Sequence, residues 1–382
     1  MTDASDNPTN SGNVNTTLID RLRLEISRRG PLTFDRFMDA ALYEPGLGYY
    51  ATRGDVAGGK PDAAADFQTS PQVHRIFGLL IARQLEMIWQ ALDRPSPFVI
   101  VELGAGSGEL AVQIVEALTE SLPNLPFAYH AADLRPHSSW LATAGTIRRW
   151  DNLAEISNSG LLAHCVISNE FFDAVPVHRV TWLRGQLHEI FVDWSDRGFV
   201  ERNGPPSDSR LIDCVVGFGI DPPEGWTGEI CLRLPKIVEQ IAQLIERGVV
   251  LTIDYGVETE SPSRLSPSDG TIVAYHRHQW NEDVLARVGE QDLTSHVDFS
   301  TLIRLGQCHD LQPAGLTSQR EFLLALDFAN VARRLISMER TEAARWQAHF
   351  SMGELLRMDG LGRLKVLAQQ KHVPSFRVCG TT

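Results

Sequence analysis

Residues 98–118, FVIVELGAGSGELAVQIVEAL, run from an apolar strand into an amphipathic helix through a turn holding Gly104, Gly106 and Gly108. Glycine is needed where a backbone takes positive φ or comes close to a ligand, and the helix N-terminus behind such a turn favours a polar or anionic group. Glu109 stands where the dinucleotide fingerprint G-x-G-x-x-G wants its third glycine, and no G-x-x-x-x-G-K-[ST] occurs, which excludes a P-loop. A second group, Asn169, Glu170 and Asp173 in AHCVISNEFFDAVP (163–176), lies at the carboxyl end of another apolar run, where open α/β sheets bind ligands. Two carboxylates so close raise each other's pKa unless a cation sits between them. A guanidinium, planar and permanently charged, suits that place, with Phe171 and Phe172 as walls. Plainer readings stay open: a Gly-rich turn with no ligand or with a nicotinamide cofactor, and a helix capped by Asn169 and Asp173 with Glu170 solvated in its first turn.

The elements that must position these groups alternate. Apolar runs at 98–103, 127–132, 146–150, 163–168 and 249–254 are separated by helical patterns, the mark of a mostly parallel sheet covered on both faces. Asp133 ends the second run, and Asp151 and Asn152 follow the third. Ahead of them, Leu18, Ile19, Leu22, Leu24 and Ile26 predict a helix ended by Gly30-Pro31, a short helix covers Thr33 to about Leu42, and helical spacing returns from Val73 to Trp89. The intervening stretch 43–71 holds three tyrosines and is too aromatic for a linker, so an ordered loop is expected. After the fourth run an insertion (171–247) begins with a hairpin turning at Arg184-Gly185, followed by a polar stretch from Asp196 to Pro206. A Ser/Pro-rich loop from Asp254 to Gly270 leads into TIVAYHRHQW (271–280), read as one strand. Helices near 299–307, 320–336 and 341–356 precede a last strand near 363–368. The expected division is a disordered tail at 1–15, a helical region with an active-site loop at 16–95, a sheet domain at 96–372 and a tail at 373–382.

With 35 basic and 48 acidic residues the net charge is −13, which makes the chain a poor binder of phosphate backbones, so no nucleic-acid partner is expected. Five scattered cysteines without a C-x-x-C suggest neither disulfides nor a zinc knuckle and fit a reducing cytoplasm. Charge interrupts every long apolar window, so no membrane span is expected. The start has two aspartates and no base before Arg21, the opposite of a signal or transit peptide. His276 and His278 share a strand face, yet no Cys or carboxylate stands at ligand spacing, so no metal is expected and His278 is assigned to substrate contact. Arg333–Arg345 reads as a solvated helix face.

Glu102 just ahead of G-x-G-x-G resembles class I methyltransferases, in which S-adenosylmethionine lies across the strand ends. In that arrangement Glu102, Gly104, Gly106 and Gly108 form the cofactor turn, Asp133 meets the ribose hydroxyls, and Asp151 or Asn152 lies near the adenine amine. The ordered segments PLTFDRFMDAALYEPGLGYY, ADFQTSP, RIFG, VELGAGSGEL, SNEFFDAVPVHRV, LTIDYG, GTIVAYHRHQ, GEQDLTSHVDF, TSQREFLLAL and GRLKVLAQQK resemble the MidA-like methyltransferases. These are bacterial relatives of the mitochondrial assembly factor that methylates an arginine in a subunit of respiratory complex I. The resemblance implies an α/β, Rossmann-like class I fold with a seven-stranded, mostly parallel sheet, an N-terminal helical region and a large insertion after the fourth strand. It implies S-adenosylmethionine as cofactor and a protein or peptide acceptor, arginine favoured. Glu170 and Asp173 become the catalytic pair, Asn169 joins the cofactor set, and Thr69, Gln72, Phe171, Phe172 and His278 become substrate contacts. Gln72 and Leu79 stand where the family has glutamates. Transfer to a small molecule, or a non-catalytic cofactor-binding assembly module, are the alternatives. The stretches 50–80 and 171–230 are expected to cover the cofactor, and the hairpin edges are compatible with a homodimer.

Overall fold

The computed structural model describes residues 17–52, 69–134, 147–216, 222–258, 270–276, 279–373 and 376–381. The expected tail at 1–15, residues 53–68 of the expected loop and His278 lie outside the described residues. Helix α1 (Leu18–Arg29) begins at Thr17, whose hydroxyl accepts the Asp20 N–H, and stops at Gly30 with φ 88°. Thr33 caps α2 (Phe34–Tyr43) in the same way. In α1 only Leu18, Leu22 and Ile26 are buried, the i, i+4, i+8 stripe, while Ile19 and Leu24 are exposed. Helix α3 (Ile76–Ala91) is the longest of the N-terminal region.

Among the described residues seven strands share one sheet: β1 (Phe98–Leu103), β2 (Phe127–Ala132), β3 (Ile147–Trp150), β4 (Cys165–Asn169), β5 (Gly248–Asp254), β6 (Gln312–Ser318) and β7 (Lys365–Lys371). The order is β6-β7-β5-β4-β1-β2-β3. Strands β1 to β5 are parallel, and β7 runs antiparallel to both β5 and β6. Alternate β1 side chains serve two cores. Phe98 and Ile100 pack with α3 and α4 (Glu109–Ser121), whereas Val99, Val101 and Leu103 pack with α5 (Leu234–Leu244) and α6 (Phe299–Gln307). The chain leaves β1 toward β2 on one side and reaches β4 on the other, so a crevice opens over the carboxyl ends of β1 and β4.

Strands 178–183, 186–195, 198–204 and 227–230 form a separate antiparallel sheet after β4, and Leu32–Thr33 joins it by pairing with Val192 and Phe191. Arg184 and Gly185, at φ 55° and 72°, make its tight turn, as the hairpin reading expected. Helix α5, within the stretch assigned to the insertion, covers the main sheet instead.

Four elements differ from expectation. The stretch 271–280, read as one strand, holds two, Val273–His276 and Gln279–Asn281, which pair antiparallel to each other. Strand β6 carries Pro313 and Gly315, which mask its pattern; it is an edge strand with a register shift between those two residues, where a missing N–H is tolerated. The polar stretch 196–206 contains strand 198–204, whose largely exposed residues pair on one side only. The helix expected at 320–336 breaks at Asp327, which takes φ 72°. In the terminal tail, Phe376 and Val378 are buried and the Val378 N–H donates to Ala314 O.

Candidate active site

The three glycines of the turn all take positive φ: 68° at Gly104, 56° at Gly106 and 79° at Gly108. The turn is tied to the end of β2, because the Gly104 N–H donates to Ala132 O at 2.9 Å and the Gly106 N–H to Asp133 Oδ2 at 2.7 Å. Helix α4 starts at Gly108 without a side-chain cap, so its first N–H groups have no capping side chain. Phe171 lies across Gly104: a Cβ there would sit 2.9 Å from Phe171 Cδ2. Glu102 is buried beneath the turn and accepts a hydrogen bond from Tyr129 Oη at 2.7 Å; burial pushes its carboxyl up to about 8.

Asp133, Arg149 and Asp151 are neighbours at the ends of β2 and β3, and the Arg149 guanidinium, lowered chiefly by burial, is favoured by both carboxylates. Asn152 serves differently from its expected adenine contact. Its Oδ1 accepts the Glu155 N–H at 2.9 Å and caps helix Leu153–Asn158, while the Asp151 N–H donates to Glu155 Oε2.

At the end of β4 the Asn169 Nδ2 donates to Glu170 Oε1 at 3.0 Å, and Asn169 Oδ1 is buried with no hydrogen-bond partner. Glu170 takes φ 51°, a strained value for a residue with a side chain, and its Oε1 also faces the Ser70 N–H at 3.4 Å. The loop is held by Asp254, the last residue of β5 and fully buried. Its Oδ2 accepts the N–H groups of Phe171 (3.1 Å) and Phe172 (2.8 Å), and its Oδ1 that of Tyr255 (2.8 Å). Asp173 is 4% exposed, and Asp292 is fixed by Tyr50 Oη, which donates at 2.8 Å. Tyr43 stacks on Tyr50 and donates to Ala174 O.

These four carboxylates feel one another. Burial, then the charge of Asp254, pushes Glu170 up to about 8; burial pushes Asp254 up to about 7 against four amide hydrogen bonds. Asp173 is raised well above the carboxylate range by burial, then by Asp254, Glu170 and Asp292. A folded-state pKa above the unfolded one means that the folded chain binds more protons between the two values. The stability so gained is complete below pH about 4 and is lost as pH rises through about 7 to 8. The unliganded protein is therefore expected to melt at progressively lower temperature from pH 5.5 to 8.5. Glu170→Gln should flatten that slope and raise stability at pH 8 by about 1–2 kcal/mol, read by calorimetric melting; an equal slope in both proteins would contradict it.

Other expected contacts are corrected. Gln72 closes a local turn, its Oε1 accepting the Thr69 N–H at 3.1 Å, so the pair caps helix Ser70–Val73. Phe172 is 6% exposed and packs with Val101 and Leu103 in the sheet core, leaving Phe171 as the ring at the site. Leu79, half-buried, packs on the apolar core where a glutamate was expected. Asp254, Asp292, Tyr50 and Ser70 were not anticipated. Asp254 carried the same strand-end signal as Asn169; the other three are assembled only by the fold. Among the described residues no cluster of His, Cys, Asp or Glu could hold a metal, and no helix is long and apolar enough to cross a membrane.

Positive-φ glycines that bring the backbone close, an uncapped helix start and the partnerless Asn169 Oδ1 fit S-adenosylmethionine, whose ammonium needs an acceptor and whose adenosine needs a close-approaching backbone. When bound, that cofactor supplies an electrophilic methyl group on sulfur.

Comparison with known proteins agrees. A family model for S-adenosyl-L-methionine-dependent methyltransferases matches residues 80–317. The mitochondrial protein arginine methyltransferase NDUFAF7 homolog of Drosophila melanogaster is 29% identical over 322 residues, covering 76% of this chain and 70% of its own. The human protein arginine methyltransferase NDUFAF7 is 27% identical over 328 residues, 76% and 69% of the two chains. A protein from Burkholderia thailandensis solved bound to S-adenosylhomocysteine superposes with a TM-score of 0.79 at 26% identity, over 94% of this chain and 93% of that one. The turn on β1, the strand-end carboxylates and these matches together place the chain in the MidA-like family of S-adenosylmethionine-dependent methyltransferases.

Proposed function

We propose that the enzyme methylates a guanidinium nitrogen of an arginine in a protein or peptide. One observation carries this reading: Glu170, Asp173 and Asp254 meet at the strand ends with raised pKa values and, among the described residues, no ion-pair partner. Buried carboxylates that repel one another gain most from a cationic guest, and a guanidinium keeps its charge as their protons leave. A carboxylate acceptor would be repelled and a hydroxyl only modestly helped. The arginine methyltransferases among the relatives support the same acceptor.

Methyl transfer from a sulfonium is an in-line displacement, so the protein's work is to align the nucleophile and free its lone pair. Glu170 and Asp173 hold the guanidinium, draw it out of resonance at the attacking nitrogen and stabilise the growing positive charge; one of them takes the departing proton. Gly104, Gly106, Gly108, Asp133 and Asn169 hold the cofactor, with Glu102, bound to Tyr129, on the strand just ahead of the turn. All five cysteines are unpaired, which supports a reducing compartment such as the cytoplasm. The test is to incubate native-cell extract with the enzyme and isotopically labelled cofactor and to locate the label by mass spectrometry. Methyl groups on arginine side-chain nitrogens are the expected result; label confined to carboxyl or hydroxyl oxygens, or to small molecules, would overturn the reading.

A further inference from the structure

The helical hairpin Phe328–Met338 and Glu342–Glu354 supplies no residue to the site described above. Its second helix buries Ala348 and Met352, which turns Trp346 and Phe350 outward at 57% and 66% exposure. Their rings stack with centroids 6.1 Å apart, and His349 meets both edge-on. Met338, 61% exposed, ends the first helix. Arg333, Arg334, Arg340 and Arg345 lie on the same hairpin, all exposed and, among the described residues, none ion-paired, with Glu339 and Glu342 between them. Arg345 donates only to the Glu339 carbonyl and Arg333 to Asn330 Oδ1. Isolated exposed hydrophobics need no explanation, but stacked aromatics on a hairpin with arginines have the composition of binding hot spots. In a chain of net charge −13 the hairpin, with four arginines against Glu339, Glu342 and Glu354, is slightly basic, and Glu354 is already paired with Arg357.

The hairpin is also linked to the carboxylates through the interior. Beyond its last helix, the Leu355 carbonyl accepts from Gln319 Nε2 at 3.1 Å, Gln319 Oε1 accepts from Ser70 Oγ at 3.0 Å, and the Ser70 N–H faces Glu170 Oε1 at 3.4 Å. We propose that this face docks the acceptor protein through an acidic segment bearing apolar side chains, while the acceptor's arginine reaches the carboxylate cluster. The inference rests on the arginine-methyltransferase reading. Charge complementarity assigns the two contacts: a slightly basic face takes an acidic segment, a negative site takes a cation. The interior link to Glu170 favours the acceptor over an anionic membrane.

Two double variants test it, Trp346→Ala with Phe350→Ala and Arg340→Glu with Arg345→Glu. Each is assayed for transfer of labelled methyl groups into proteins of native-cell extract, with S-adenosylhomocysteine calorimetry reporting an intact fold. Protein labelling is expected to fall at least tenfold in both, with cofactor affinity kept within twofold, and 0.5 M salt should weaken wild-type labelling by a comparable factor, a rough expectation from screening. Equal labelling by wild type and variants, with wild type active, overturns the docking face alone. A wild-type enzyme that labels no protein overturns the acceptor reading and this face with it. Wild-type retention on phosphatidylserine vesicles, or a wild-type dimer split by the variants, also overturns it, by giving the face to a membrane or a second copy.

Discussion

Gly104→Val is expected to abolish S-adenosylhomocysteine binding in calorimetry and, with it, all methyl transfer. Two independent effects add. The backbone at Gly104 holds φ 68°, which a β-branched residue adopts only at a cost of about 1–3 kcal/mol. A Cβ would also stand 2.9 Å from Phe171 Cδ2, and the valine methyls would reach farther still. Phe171 has little freedom to yield, because its N–H and that of Phe172 are both bound to the buried Asp254. The turn must therefore move, and the Gly104 and Gly106 amides leave Ala132 and Asp133. Wild-type protein should bind S-adenosylhomocysteine and give no heat with NAD. Affinity kept within tenfold in Gly104→Val would remove this turn from the cofactor site.

Glu170→Gln and Asp173→Asn are each expected to lower turnover by about 10²-fold or more while nearly sparing cofactor affinity. Both changes keep side-chain size and remove the charge that a guanidinium needs. Glutamine at 170 has a further handicap. Glu170 Oε1 receives two N–H groups, from Asn169 Nδ2 and Ser70, so the amide oxygen must take that place and its NH₂ faces a cationic guest. Single-turnover rates with saturating cofactor separate the chemical step from binding. Unchanged turnover in both variants would take these residues out of the mechanism.

The chain itself disclosed the groups that a local rule can find. Gly104, Gly106 and Gly108 are legible because the strand-to-helix turn needs positive φ at fixed spacing, and Asn169, Glu170 and Asp173 because strand ends bind ligands. Helices α1 and α2 showed their caps. What stayed hidden was assembled from afar: Tyr50 reaches Asp292, and Ser70 reaches both Glu170 and Gln319. Some residues with functional-looking side chains turned out to be structural, such as Asn152 and Gln72 at helix caps, where a local N–H is the nearest partner. Strand β6 was missed because its proline and glycine are breakers everywhere except at a sheet edge.

Tyr43 and Tyr50 bond to Ala174 and Asp292, which lie 131 and 242 positions later. Leu32 likewise waits for Val192 before its strand has a neighbour. Until then the apolar stripes of α1 and α2 have no surface to cover them, and closing such distant contacts is slow. During folding the apolar faces of α1 and α2 therefore close fully only when partners far along the chain arrive. The carboxylate edge is likewise closed by a contact of long sequence separation, Tyr50 to Asp292.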